Sequence, residues 1–174
     1  MAWLQGMAML WLRRRHLVIG SLSVVEGARP NWRGIWTGLS THDFDVYCHR
    51  IPFGASDKVL GAALRSALRA SRVNVPAPPA WDVGIGVEKP ITDARLAEAF
   101  GLPDGYRLYP GMKRCLAERI FGAVTLSPTR RRFNGQFEIL DPDPGPEHED
   151  ISLGFGACQA NLGAAIRICF DRCE

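Results

Sequence analysis

The chain has 174 residues, 47% of them apolar and 22% charged, with a formal net charge of +3. Those proportions describe one globular domain with a real core and exclude a disordered chain. The charge is too small to argue nucleic-acid binding from the total, and no apolar run approaches the roughly 20 residues of a membrane-spanning helix.

Met1–Leu12 is apolar, with Arg13-Arg14-Arg15 after it. A secretory signal has the opposite order, so residues 1–31 are expected to be an N-terminal extension, poorly ordered or arising from a misassigned start. From 32 to 174 the chain reads as one domain. Phe44–Phe53 alternates well enough for a strand. Ser56 then stands at an N-cap with Asp57 at the positive helix end, and the helix runs to about Ser71. Val75–Pro79 is an extended connector, because proline removes donors and disfavours helix before it. Thr92 or Asp93 caps a short helix through Phe100 that Gly101 and Pro103 end. Tyr106–Tyr109 reads as a brief extended piece. Met112–Ile120 precedes an apolar, β-branched run over Phe121–Ser127, and Asn134-Gly135 is a hairpin turn signal that pairs this run with Gln136–Leu140. Asp141–Pro146 holds no regular structure, and a last strand and helix close the chain.

That last unit repeats an earlier one. Ile51–Arg72 and Leu153–Glu174 align without a gap at eight identical positions, among them Phe53/Phe155, Leu60/Leu162, Gly61/Gly163 and Arg65/Arg167. Each copy is an apolar approach, a glycine turn and an amphipathic segment with one apolar face. The expected class is α+β: a single domain with a mixed or antiparallel sheet packed with helices, containing this strand–turn–helix unit twice.

No catalytic constellation is legible. Ser127 lacks a nucleophile elbow, Gly84-Ile-Gly86 lacks the rest of a dinucleotide loop, and Glu147-His148-Glu149-Asp150 lacks a second ligand group for a metal. The five cysteines (48, 115, 158, 169 and 173) show no CxxC spacing. They read as buried free thiols suited to a reducing cytoplasm. No metal and no cofactor is expected. The charge pattern is more informative: Phe133–Ile166 holds six acids (Glu138, Asp141, Asp143, Glu147, Glu149, Asp150) and no Lys or Arg. Arg130, Arg131 and Arg132 stand just before it, with Lys113, Arg114 and Arg119 upstream. This is either an ordinary solvated surface or a patterned binding face, whose acidic part suits a basic partner and whose arginines suit phosphates.

Four segments in order resemble one bacterial family. Met112-Lys-Arg-Cys-Leu116 resembles its MK-x-C segment, Val124-Thr-Leu-Ser-Pro-Thr-Arg130 its I-T-I-x-P-T-R strand, and Leu162–Cys173 its closing IGAALRLALSRC helix. His49–Leu68 is similar to its YIPLxxSDxxLGxAIxxAL pattern. The family is the immunity proteins of contact-dependent growth inhibition (CDI) systems, and the resemblance covers about residues 32–174. The chain departs from it where Cys158-Gln159-Ala160-Asn161 replaces Ser-Pro-Glu-Glu at the last helix, a poorer cap. The resemblance implies a cytoplasmic, non-enzymatic protein that binds the toxic C-terminal domain of a CDI protein and occludes its active or functional surface. With the charge pattern, Glu138, Asp141, Asp143, Glu147, Glu149, Asp150, Arg130, Arg131 and Lys113 become the candidate toxin-binding residues. The alternatives are an enzyme holding an anionic substrate at Lys113 and Arg130–Arg132, and a nucleic-acid-binding regulator.

Overall fold

The structure, a computed structural model, describes residues 4–30, 36–40, 47–76, 89–103, 108–131, 137–139, 149–154 and 156–174. Its centre is an antiparallel sheet in the order β4 (Cys48–Pro52), β2 (His16–Pro30), β1 (Leu4–Arg13), β6 (Met112–Ile120), β7 (Ala123–Arg131), β9 (Ile151–Leu153). Further along, β2 also pairs with β3 (Trp36–Ser40) and, in parallel, with β5 (Val73–Val75), while β7 pairs with β8 (Phe137–Ile139). Helices α1 (Asp57–Ala70) and α3 (Gln159–Arg172) cover one face, and α2 (Lys89–Phe100) lies against the other. The α+β class expected from the sequence is therefore observed.

The expectation of a poorly ordered extension over residues 1–31 is corrected. β1 lies between β2 and β6 in the middle of the sheet. Ala8 and Leu10 face α1 and α3, whereas Met7, Met9 and Trp11 face the α2 side, and all five are buried. A strand covered on both faces shows a continuous apolar run instead of alternation. Met1–Leu12 therefore looked like a segment without a partner, although it supplies both cores.

The repeated unit is β4–α1 in one half and β9–α3 in the other. The duplication extends beyond it, because β1–β2 and β6–β7 are matching hairpins that meet in the central β1–β6 pair. The registers agree: Leu17 opposite Ile51 in one half corresponds to Val124 opposite Leu153 in the other. Across the middle, Ala8 faces Ala117 and Leu10 faces Cys115, reciprocal pairs about Met9 and Leu116. The domain is thus two β-β-β-β-α halves related by an approximate two-fold axis, with α2 in the connection. The two helices touch backbone to backbone at the repeat's glycines. A Cβ on Gly61 would lie 1.8 Å from the Gln159 carbonyl oxygen, and one on Gly163 would lie 1.9 Å from that of Asp57. No side chain fits at either position.

The remaining elements follow local rules. Ser56 caps α1 by accepting from the Val59 N–H, as expected. Thr92 and Asp93 fall inside α2 instead of capping it, since the helix starts at Lys89 with Pro90 in the first turn, where a missing N–H costs nothing. Gly101, at φ +67°, ends α2 with Gly101 N–H donating to Glu98 and Leu102 N–H to Ala97, a Schellman motif. The run over Phe121–Ser127 begins later than expected, at Ala123. Phe121 and Gly122 form the two-residue β6–β7 turn with φ values of +48° and +82°, the geometry of a primed hairpin. β7 and β8 pair antiparallel, but through Thr129–Arg131 and not through the expected run, whose Val124–Leu126 pair with β9. Of the other expectations, Phe44–Val46, residues 77–79, Tyr106–Arg107, Asp141–Pro146 and Phe155 lie outside the described residues.

Candidate functional site

Several candidate residues lie along the second half of β7. Arg130 is exposed, sits opposite Glu138 in the β7–β8 register and forms an ion pair of 3.8 Å with Glu174. Glu174 is fixed there by two main-chain bonds, its N–H donating to Thr129 and its carbonyl accepting from Arg131. Glu149 and Asp150 are exposed at the entry to β9, and the Glu149 carbonyl accepts from Arg172 near the end of α3. Although much of Asp150 is open to solvent, its carboxyl sits against Ser127. Partial burial raises its pKa, and the hydrogen bond from Ser127 offsets part of that rise. Asp141, Asp143 and Glu147 lie outside the described residues.

Two of the predicted cations are committed to the fold. Lys113 donates from Nζ to the Phe170 carbonyl over 3.0 Å. Arg131 donates to the Tyr109 carbonyl over 2.9 Å and stacks on the Tyr109 ring with 5.7 Å to its centre. They hold α3 and the β6 approach in place and have fewer donors left for an anionic substrate.

Sequence reasoning missed the group beside them. Arg114 lies 4.8 Å from the Phe137 ring centre and donates to the Phe137 carbonyl over 2.9 Å. The Phe137 and Tyr109 rings are 6.1 Å apart. Two aromatic rings thus lie between two guanidiniums, in the order Arg114–Phe137–Tyr109–Arg131, each side chain half-buried. Cation–π contacts of this kind strengthen when partly desolvated. Burial lowers the Arg114 pKa to about 10, leaving the side chain charged at neutral pH. The signal in the sequence was weak, because three separate segments contribute.

The cysteines form a second unforeseen cluster. Cys115 from β6 joins Cys169 and Cys173 of the last helix, with Sγ–Sγ distances of 2.9 Å to Cys169 and 3.4 Å to Cys173. Sulfurs ligating tetrahedral zinc at 2.3 Å stand about 3.8 Å apart, so these thiols are packed too tightly around one another for an ion. Among the described residues no His, Cys, Asp or Glu group is arranged to hold a metal. Burial, with hydrogen bonds from Cys169 and then Cys173, pushes the Cys115 thiol well above its ordinary pKa. All three are core groups, as the reading of buried thiols expected. Cys158 is exposed and Cys48 half-buried, so the reading of all five as buried is corrected for these two.

A family model described as CDI immunity protein matches residues 31–173. A sequence comparison with curated proteins finds no match. Among solved structures, a protein of unknown function from Neisseria meningitidis is similar, with a TM-score of 0.72 at 21% identity, covering 97% of this chain and 95% of its own. A chain of the CdiA-CT/CdiI toxin and immunity complex from Yersinia pseudotuberculosis is similar too, with a TM-score of 0.69 at 19% identity, covering 97% of each chain. Identities at this level show a shared fold. Coverage so complete leaves no room to omit the first thirty residues, so the β1–β2 hairpin is part of that shared fold.

Proposed function

The chain belongs to the CDI immunity protein family, and from that premise we propose how it acts: by stoichiometric occlusion, covering the surface that its toxin uses. It is an immunity protein that binds and neutralises the C-terminal toxin domain of a CDI system. The observation that supports a binding face is the surface at the end of β7. There Arg130 is exposed on the α3 side of the strand, Glu149 and Asp150 are exposed at the neighbouring β9 entry, and the half-buried Arg114–Phe137–Tyr109–Arg131 group lies on the α2 side. Arginine and aromatic residues are the side chains that most often form the energetic centre of an interface, with exposed charges as its polar rim. Glu138, Asp141, Asp143 and Glu147 belong to the same acidic run in the sequence. Such a run meets a basic toxin surface favourably and speeds encounter more than it tightens the final complex.

The site of action is the cytoplasm, where free thiols persist. No described helix is long and apolar enough to cross a membrane. The test of the face is charge reversal of Glu147, Glu149 and Asp150 together, read by the association rate with the cognate toxin across a salt series. The expected result is an association rate lowered at least tenfold at low salt and a shallower salt dependence. An unchanged rate and slope would assign the acidic run to solvated surface and place the interface elsewhere.

A further inference from the structure

The approximate two-fold symmetry makes each half a control for the other, and at one place the halves differ in charge. In the first half Arg167 reaches across to the turn before α1. It donates from Nε to the Asp57 carboxylate over 2.7 Å and from its other nitrogens to the carbonyls of Phe53 and Ala55. Its repeat partner Arg65 makes the reciprocal reach, donating to the Ala157 carbonyl, the counterpart of Ala55. The counterpart of Asp57 is Gln159, so the carboxylate that completes the first arrangement has no equivalent in the second. The cap differs in the same sense: Ser56 accepts from α1, whereas Cys158 makes no side-chain bond to α3, whose first turn holds no acid.

A cleft opens at this place. It has a volume of about 440 Å³ and is lined by Gln5, Arg65, Arg69, Arg119, Gly154 and Gly156 among others, with no carboxylate among the described residues of its wall. Arg69 is exposed and makes no bond to any described residue. Arg119 donates one nitrogen to the Gln5 carbonyl over 3.2 Å, while its Nε is buried without a partner. Gly154 and Gly156 border the cleft with open space where a Cβ would stand, Gly156 at φ +86°. Three guanidiniums without a counter-charge around a concave, glycine-bordered space make a favourable seat for an oxyanion.

The geometry points to an anion-binding site here: the cleft binds a phosphate or carboxylate group against Arg65, Arg69 and Arg119. The inference stands apart from the toxin-binding face, since the cleft lies past the other end of β9 from Glu149 and Asp150 and needs no partner to be tested. Titration calorimetry of the full chain with pyrophosphate at low ionic strength should show one saturable site. Arg69→Ala, which removes an unbonded side chain, should weaken it at least tenfold. Gln159→Asp, which offers Arg65 the carboxylate that Asp57 offers Arg167, should weaken it too and raise the melting temperature measured without anion. Repeating the titration on the toxin–immunity complex identifies the natural source of the anion. Lost pyrophosphate binding there means that a toxin carboxylate fills the cleft, and retained binding means a free phosphate compound. Absence of saturable binding by the unaltered chain, or equal binding by both variants, overturns the inference.

Discussion

Arg167 and Arg65 hold equivalent positions and bond unequally. Arg167 makes three hydrogen bonds, one to a carboxylate, and its guanidinium lies 5.0 Å from the Phe53 ring centre. The ion pair is partly open, with side chains 31% and 41% exposed, which discounts its electrostatic share. Arg167→Ala should still cost about 2 kcal/mol, mostly from carbonyls left without a donor. Arg65→Ala should cost less than half as much; equal losses in urea denaturation would contradict the asymmetry. The thiols give a second contrast. Under native conditions iodoacetamide should label the exposed Cys158 rapidly and leave Cys115 and Cys169, which are fully buried, unmodified until the protein unfolds. Peptide mass spectrometry reads this directly, and fast native labelling of Cys115 would show that the cluster is open. At this scale the sequence marked Cys169 and Cys173 as core, because both lie on an apolar helix face, but it counted the exposed Cys158 as buried too. It could not tell that Cys115 joins them, since that contact depends on sheet register.

Elements differ in how openly they announce themselves. α1 was readable throughout: the apolar spacing of Leu60, Leu64 and Ala67, the Ser56 cap and the Asp57 charge agree with one another. The repeat of residues 51–72 in 153–174 marked the second helix as well. Its crossing point was visible as a glycine shared by the two copies, though only the fold gives the reason. Gly61→Ala and Gly163→Ala each push a methyl into a backbone carbonyl and should each destabilise the domain by at least about 2 kcal/mol. Thermal or urea unfolding checks this, and a change below half that size would mean that the helices slide apart cheaply. β1 was the element that the sequence concealed. Local pattern reports amphipathic elements best, and a strand buried on both faces has no polar side to set its period. The hairpin match between β1–β2 and β6–β7 was hidden too, because the two pairs share register but few residue identities.

For the molecule as a whole, the family match begins near residue 31, well after the first described strand, Leu4–Arg13. The β1–β2 hairpin contributes Met7, Leu10, Leu17, Ile19 and Leu22, all fully buried, and joins the two halves across their common axis. A chain lacking residues 1–31 should therefore be recovered only as unfolded or aggregated material, with no cooperative unfolding transition. A folded, cooperative product would restore the view of a dispensable extension. The candidate face was half legible: charge runs stand out in a sequence, whereas Arg114, Phe137 and Tyr109 come together only through tertiary pairing. The central claim is that this fold neutralises a toxin by holding it. Its most direct test is co-expression of the full chain with the C-terminal toxin domain of its cognate CDI protein, followed by purification. Restored growth together with a stoichiometric, co-purifying complex is the predicted result. Continued killing by that toxin, with the chain folded and no complex formed, would contradict the claim.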